Sequence, residues 1–586
     1  MTYVLGINLS HDRSACLVED GNLVVAVEEE RLDRIKHSEG FNVQGHFERL
    51  TKTLPMKSIS YCLETAGIGL DDLALVVGNR PLGDQAVERI ARELPLKDKS
   101  RIRALPMPSH HLAHAYAAFA ASPFDDAAVL VVDAVGSRLP GTDLIEKHSF
   151  FVGEGTDVRR AAFATYPTDL SDMGLGLFYN FFTAKLRFTT RWGSPSFGDF
   201  QCGGYPEAGK TMGLAPYGQP RPDWGRLVRF EGHDVHVSLS ELQERWQRWL
   251  ASDGYDYYPD ARDSWDSPFA KDVARKAQDE LESAMLFLAE QLLSMTGKRR
   301  LCLSGGVALN SVANQRIAAE SGFDDLYVLP PAGDAGVSIG CALYGYHVLL
   351  GNPQRRPLES AATGRSYDEA DVHAALAGAM DHVEWQKTEP SDVARLIADH
   401  YVVGWVQGGS EMGPRALGQR SILADPRHPH MRDYLNRIVK HREVFRPYAP
   451  SVLFEHAHDW FALTHDSPYM LLVPDVLPDR RVSVPSITHV DGTARVQTVS
   501  ERTNPRYHEL ISAFHRLTGV PLVLNTSFND AGEPIVETPA QAIRTFLRTE
   551  MDYLYINNVL IRKRNRVLPT QHPARAPLAR LIASAG

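Results

Sequence analysis

The spacing of apolar and polar positions switches between a period of two and one near 3.6, and the switches divide the chain into elements. Residues 3–8, Tyr3-Val4-Leu5-Gly6-Ile7-Asn8, read as a first strand. The apolar runs 15–18 and 23–27 flank Glu19-Asp20-Gly21-Asn22, whose Asp-Gly pair signals a hairpin. Helices are predicted near 44–66 and 84–94, with a strand at 73–77 between them. After Pro108, residues 109–119 are rich in Ala, Leu and aromatics and read as a mostly buried helix. Residues 127–132 have the composition of a buried strand, closed by Asp133. That strand opens a second copy of the strand-and-hairpin start, with strands at 144–152 and 158–165 turning at Gly153-Glu154-Gly155.

The clearest helix is 268–296: Ser267 caps it, Pro268 takes its first position and Gly297 stops it. Val273, Ala277, Leu281, Ala284, Leu288, Leu292 and Met295 recur along it at helical spacing and read as core. Periodicity is lost from 349 to 366 and returns with a helix at 389–400 and a strand at 402–407. Thr538-Pro539 starts a final helix, and 553–562 makes a last strand. At 586 residues the chain exceeds what one core supports. The predicted division is a domain at 1–350, a linker at 351–366, a domain at 367–562 and a flexible basic tail at 563–586.

Within the buried helix, His110 and His114 stand four apart, so both imidazoles project from one face and can reach one divalent ion. Core histidines satisfied by hydrogen bonds have the same spacing. Asp334 lies in Pro331-Ala332-Gly333-Asp334-Ala335-Gly336, a glycine turn before an apolar helix, where the ordinary role is an N-cap. Asp133 at a strand end is ordinarily a turn residue. Together the two histidines and two acids form a donor set suited to iron(II), manganese or zinc. Glycines at Gly174-Leu175-Gly176, Gly209-Lys210 and Gly305-Gly306 allow backbone N–H groups to approach a phosphate or sugar. The charged run 28–37 reads by itself as a solvated helix start. Farther on come Gly413-Pro414-Arg415-Ala416-Leu417-Gly418-Gln419-Arg420, then Lys440 to Pro450 with Arg446, then Arg495, then Asn525-Thr526-Ser527. One arginine alone reads as a surface ion pair. An ordered set of planar guanidinium forks between apolar strands and glycine turns matches phosphate oxygens.

The order His-x-x-x-His, strand-Asp, Gly-Gly-Val-Ala-Leu-Asn (305–310) and Gly-Asp-Ala-Gly resembles the universal tRNA threonylcarbamoyl-transferase domain of the actin/hexokinase-like superfamily. With the later motifs, roughly residues 3 to 562 are similar to the NodU/CmcH-type O-carbamoyltransferases of nodulation-factor and antibiotic tailoring. The resemblance implies an α/β protein with an N-terminal actin/hexokinase-like duplicated domain and a C-terminal YrdC-like α/β domain. It implies an ATP-dependent enzyme that makes carbamoyl adenylate from carbamoyl phosphate and ATP, with Mg2+ accompanying the ATP. The carbamoyl group then passes to a hydroxyl of a small-molecule acceptor, a secondary metabolite. On the same footing His110, His114, Asp133 and Asp334 hold a divalent metal, Fe2+ first, Mn2+ or Zn2+ otherwise. Lys36, Gly176, Lys210, Gly306 and Asn310 are implied for the carbamoyl adenylate. Arg415, Arg446, Arg495 and Asn525 are implied for the phosphate-bearing substrates, with Arg420 and Lys440 ranked behind them. His11 and Asp12 face the acceptor, and His11 or Asp133 takes its proton. His11 is the sharper choice, since Asp133 cannot serve freely as ligand and base. The stretch 183–208 is longer than in the aminoglycoside-tailoring members, which leaves the acceptor open.

A net charge of −10 argues against a nucleic-acid-binding surface, and so against the rival reading of a tRNA threonylcarbamoyl-forming enzyme. Five scattered cysteines without a C-x-x-C pair exclude a zinc ribbon, and with it the thiol-carbamoylating enzymes of hydrogenase maturation. A non-catalytic actin-like nucleotide-binding scaffold is the rival from another class. The start has no basic segment before a long apolar one, and no apolar run approaches ~18 residues, so a cytoplasmic protein without a membrane span is expected, as monomer or homodimer.

Overall fold

Val4, Leu5 and Ile7 are fully buried because their strand lies in the middle of a sheet rather than at its edge. The computed structural model describes residues 1–38, 54–79, 86–189, 207–252, 264–564 and 566, and the chain divides into two units, Met1–Leu358 and Glu359–Gly586. In the first unit β1 (Tyr3–Asn8), β2 (Ser14–Glu19), β3 (Asn22–Glu28), β4 (Leu73–Gly78) and β5 (Ile102–Ala104) form a sheet of order β3-β2-β1-β4-β5. The first three strands run antiparallel, and β4 and β5 add in parallel beside β1. The second half repeats this arrangement. Its strands are β6 (Asp126–Val132), β7 (Leu144–Glu154), β8 (Asp157–Pro167), β11 (Arg300–Ser304) and β12 (Asp325–Val328), ordered β12-β11-β6-β7-β8. A short hairpin, β9 (Arg229–Glu231) and β10 (Asp234–His236), stands apart. The two sheets have identical strand order and direction, so the internal duplication is explicit in the topology.

The helices of this unit are α1 (Glu29–Asp33), α2 (Met56–Ala66), α3 (Ala86–Glu93), α4 (His110–Ala121), α5 (Leu175–Lys185), α6 (Ala208–Leu214), α7 (Leu239–Ser252), α8 (Pro268–Thr296), α9 (Ser311–Glu320) and α10 (Val337–Tyr344). Each half ends in a buried helix that packs on the other half: α4 against β6 and β11, α10 against β1 and β2. The two helices also pack on each other, at a spacing set by Gly340. A Cβ at Gly340 would come 1.9 Å from the carbonyl oxygen of Ala113. The α8 caps match the expectation, the Ser267 hydroxyl accepting from Ala270 N–H at 3.1 Å and Gly297 closing in the left-handed region. Met295 does not join the core. It is 43% exposed, because it lies in the last turn beyond the packed face.

The second unit carries an eight-stranded mixed α/β sheet among the described residues, ordered β13-β20-β19-β14-β15-β18-β16-β17. Its strands are β13 (Val383–Lys387), β14 (Val403–Val406), β15 (Arg420–Ala424), β16 (Ala449–Leu453), β17 (Gln497–Val499), β18 (Leu522–Ser527), β19 (Tyr553–Ile556) and β20 (Val559–Lys563). The single strand expected at 553–562 is a hairpin, folded at Asn557, whose φ of 49° reverses the chain. Thr538 caps the helix Pro539–Arg548 in a reciprocal pair with Gln541. The start of the helix expected from 44, most of 183–208 and most of the tail lie outside the described residues.

Gly340→Ala forces α4 and α10 apart against packed backbone and is expected to cost about 3 kcal/mol. A urea unfolding midpoint equal to wild type contradicts that spacing constraint.

Candidate metal centre

Helix α4 begins without a cap of its own, and a serine from another segment supplies one. The Ser137 hydroxyl accepts from the N–H groups of Ser109 (3.0 Å) and His110 (2.9 Å). Ser137 N–H donates to Glu146 at 3.0 Å, and Glu146, wholly buried, is paired with Arg160 at 2.7 Å. This buttress fixes where the first turn of α4 starts, and so where His110 and His114 point. Asp133 follows β6 directly, and Asp334 stands just before α10. The two acids thus come from opposite ends of the second half and meet both imidazoles.

His110 Nε2 lies 2.9 Å from Asp133 Oδ2 and 3.5 Å from Asp334 Oδ1. His114 Nε2 lies 3.5 Å from each of the same carboxylates. The donor atoms of the four side chains all fall within 4.8 Å of one another, and all four residues are buried. His114 Nε2 and Asp334 Oδ1 make no hydrogen bond to protein, an expensive arrangement for buried polar atoms that aim at one point. Ser304 supports the ring from behind. Its hydroxyl donates to the carbonyl of Ala332 at 3.3 Å and receives Nδ1–H of His114 at 3.1 Å, which leaves Nε2 bare toward the acids. Gly306 N–H donates to Asp133 Oδ1 at 3.1 Å, and Ser10 donates to Asp334 Oδ2 at 2.7 Å. Two imidazole nitrogens and two carboxylates with their outer atoms held in this way fit a divalent transition metal. Burial disfavours charge on each group, but the pairing overrides it. Asp334 and Asp133 hold the His110 proton well above the usual range, and His11 and His110 hold Asp334 well below its own.

His11 stands at the rim. Its Nε2 is 3.3 Å from Asp334 and its Nδ1 2.9 Å from Asp12 Oδ2. A carboxylate only accepts, so Nδ1 carries the hydrogen. Asp12 also meets His37 Nδ1 at 2.8 Å and sits at φ 50°, its carbonyl held by Asn8 Nδ2 at 3.2 Å. Burial opposes charge on His11, yet Asp334, Asp12 and Asp133 raise it to about 9.

Of the residues expected at the adenylate, Gly306 lies against Asp133 and Gly176 against Ala134. Gly176, in the first turn of α5, is pressed against Ala134, where a Cβ would come 2.6 Å from its backbone. Asn310 caps α9 and bonds Gln278 at 3.0 Å. Lys36 and Lys210 meet at one carboxylate, Glu207, at 2.8 and 2.6 Å.

The second unit gathers cations. Burial lowers Arg415 to about 10 with help from Arg446, and burial together with Arg415, Arg442 and Arg446 depresses Arg495 strongly. Lys440 is buried, donates to the carbonyls of Ser527 (2.8 Å) and Asn529 (2.7 Å), and is held far below its usual range by burial, Arg442 and Arg446. Asn525 donates to Ala416 O and Ser451 Oγ, both at 3.0 Å, and its Oδ1 is buried without a hydrogen bond. Arg420 departs from the expectation. At 0% exposure it donates to the carbonyls of Glu537, Gln407, Gly408 and Gln419, so its guanidinium holds the unit together rather than facing a substrate. Sequence reasoning missed Arg442, which stacks on Tyr448 at 4.6 Å. It also missed Ser137, Ser304 and Glu207. The Lys440-His441-Arg442 run carried a signal for the first, whereas a serine far from its helix carries none.

The family pattern described as Carbamoyltransferase N-terminus matches residues 3–83 and 71–343, and that described as Carbamoyltransferase C-terminus matches 394–563. The chain is similar to nodulation protein NolNO of Sinorhizobium fredii (36% identical, covering 94% of this chain and 79% of that one). It is also similar to an uncharacterized protein of Synechocystis (34%, covering 96% and 97%). Nodulation protein NolO of Bradyrhizobium diazoefficiens is 37% identical over 78% of this chain and 79% of its own. Among solved structures, full-length HypF in its phosphate- and nucleotide-bound form aligns at a TM-score of 0.36 and 14% identity, over 60% of this chain and 56% of that one. No helix among the described residues is long and apolar enough to cross a membrane.

His114→Ala removes one of four donors, and metal bound after iron(II), manganese or zinc loading is expected to fall about tenfold or more at limiting metal. Unchanged stoichiometry by plasma mass spectrometry removes His114 as a ligand.

Proposed function

The chain belongs to the carbamoyltransferase family, and from that membership we propose that it works as a two-site enzyme acting on a hydroxyl of a secondary metabolite. The second unit makes carbamoyl adenylate from carbamoyl phosphate and ATP, with Mg2+ accompanying the nucleotide. The first unit transfers the carbamoyl group. The observation that supports this most is the crowd of cations around Arg415, Arg442, Arg446, Arg495 and Lys440, which depress one another. Such crowding is unfavourable unless an anion enters it, and the two substrates together bring about six negative charges.

The chemistry balances as follows. Water releases phosphate from carbamoyl phosphate and leaves carbamate. A carbamate oxygen attacks the α-phosphorus of ATP, the bond to the β-phosphate bridge breaks, and pyrophosphate departs. Arg446, Arg415 and Arg495 offer fixed guanidinium groups to the charge that moves onto the leaving oxygens. Asn525 adds a buried acceptor, the Oδ1 that makes no hydrogen bond.

In the first unit His110, His114, Asp133 and Asp334 would hold the divalent ion. When bound, it would polarise the carbamoyl carbonyl and offset the carboxylate charge that keeps His11 protonated. His11 takes the acceptor proton at Nε2, since Asp12 accepts from Nδ1. Gly306 and Gly176 let backbone come close beside Asp133 and Ala134, and Asn310 caps the helix α9 that follows Gly306. The acceptor oxygen then attacks the carbamoyl carbon, the carbon–oxygen bond to phosphate breaks, and AMP leaves.

The two half-reactions separate the assignments. Arg446→Ala is expected to cut carbamoyl-phosphate-dependent pyrophosphate release by about a hundredfold or more, since it removes charge stabilisation in the adenylating step. His114→Ala is expected to keep that release and to lose carbamoyl transfer, read by mass gain across a panel of hydroxylated metabolites. Wild-type pyrophosphate release from Arg446→Ala contradicts the reading, as does pyrophosphate release that ignores carbamoyl phosphate.

A further inference from the structure

Glu207 stands between two lysines, and each of its carboxylate oxygens takes one of them. Lys36 Nζ is 2.8 Å from Oε1 and Lys210 Nζ is 2.6 Å from Oε2. The carboxylate is 17% exposed. Burial alone would raise it, but Lys36 and Lys210 bring it down to about 2, so it carries its charge throughout the physiological range. Its surroundings lead to the metal centre along two routes. Lys36 precedes His37, whose Nδ1 meets Asp12 at 2.8 Å, and Asp12 holds His11. On the other side, Met212 on α6 receives the Ser311 hydroxyl at 3.8 Å, one residue beyond Asn310 and close to Gly306. Thr211 is tied to Thr183 on α5 at 2.8 Å, so α6 is anchored to the same helix as Gly176.

Resting on the adenylate reading above, we propose that Glu207 is a specificity residue: it trims the two lysines to one net positive charge, so that this subsite gives a doubly charged phosphate a much smaller advantage over a singly charged one than two bare ammonium groups would. The chemistry gives that distinction a use. The phosphate of an acyl adenylate is a mixed anhydride with one ionised oxygen. When the carbon–oxygen bond breaks, the electron pair stays with phosphate, the acceptor's proton goes to the base, and AMP gains its second charge near neutral pH. A site with two uncompensated ammonium groups would hold AMP, or the triphosphate of ATP, more firmly than the intermediate. With Glu207 in place, the carboxylate repels the doubly charged product about twice as strongly as the singly charged intermediate.

The test uses the full chain with Arg415→Ala, Arg446→Ala and Arg495→Ala together as background, chosen to weaken nucleotide binding in the second unit, where the reading above places all three. Calorimetric titrations compare AMP with N-carbamoylsulfamoyl adenosine, a singly charged isostere of carbamoyl adenylate that cannot transfer its group. Glu207→Gln is expected to tighten AMP binding about tenfold or more while the isostere changes by less than about threefold. If both proteins bind the isostere and AMP affinity is the same in each, Glu207 has no such role, and the adenylate reading stands without it. If neither protein binds the isostere, the adenylate reading fails and the proposal fails with it. Lys210→Gln provides a second arm that does not depend on Glu207→Gln folding. It leaves the three positions with no net charge, and the isostere is expected to bind about tenfold more weakly. Undiminished binding to Lys210→Gln overturns the proposal.

Discussion

Two carboxylates and two imidazoles buried at one point cannot be left to chance, because each charge costs several kcal/mol out of water unless the others answer it. The fold of the first unit is arranged around that requirement. The last helix of each half crosses onto the sheet of the other, which brings the first turn of α4 and the turn before α10 to the end of β6. Gly340 permits the close crossing, and Ser137, held by Glu146 and Arg160, registers α4 along its axis. The same duplication supplies Asn8 at the end of β1, the position matching the end of β6. Asn8 holds the carbonyls of His11, Asp12 and Asp334. The loop of His11 and Asp12 and the turn of Asp334 are therefore locked to one asparagine.

Much of this was legible in the sequence wherever periodicity or capping carried it. The long helix α8 could be placed to the residue because Ser267, Pro268 and Gly297 punctuate it. The duplication showed in the repeated strand-and-hairpin openings, and the four metal-facing residues came together as the motif order implied. What escaped was held by contacts distant in sequence. Ser137 caps a helix that starts 27 residues before it, and Ser304 orients a histidine 190 residues away. Arg420 looked like its neighbours in the arginine set. Only its burial among four carbonyls separates a structural guanidinium from those that crowd together.

The two units solve opposite electrostatic problems. In the first, opposite charges are paired at the histidine and aspartate cluster. In the second, like charges are held together by burial and by bonds to backbone carbonyls, as at Lys440.

The most direct test of the metal centre is anomalous diffraction from crystals of the wild-type chain loaded with iron(II), collected on both sides of the iron edge. The account predicts a single strong peak in the first unit, at about 2.0–2.2 Å from both Nε2 atoms of His110 and His114 and from oxygens of Asp133 and Asp334. A peak elsewhere in that unit, or none between those side chains at full loading, contradicts it.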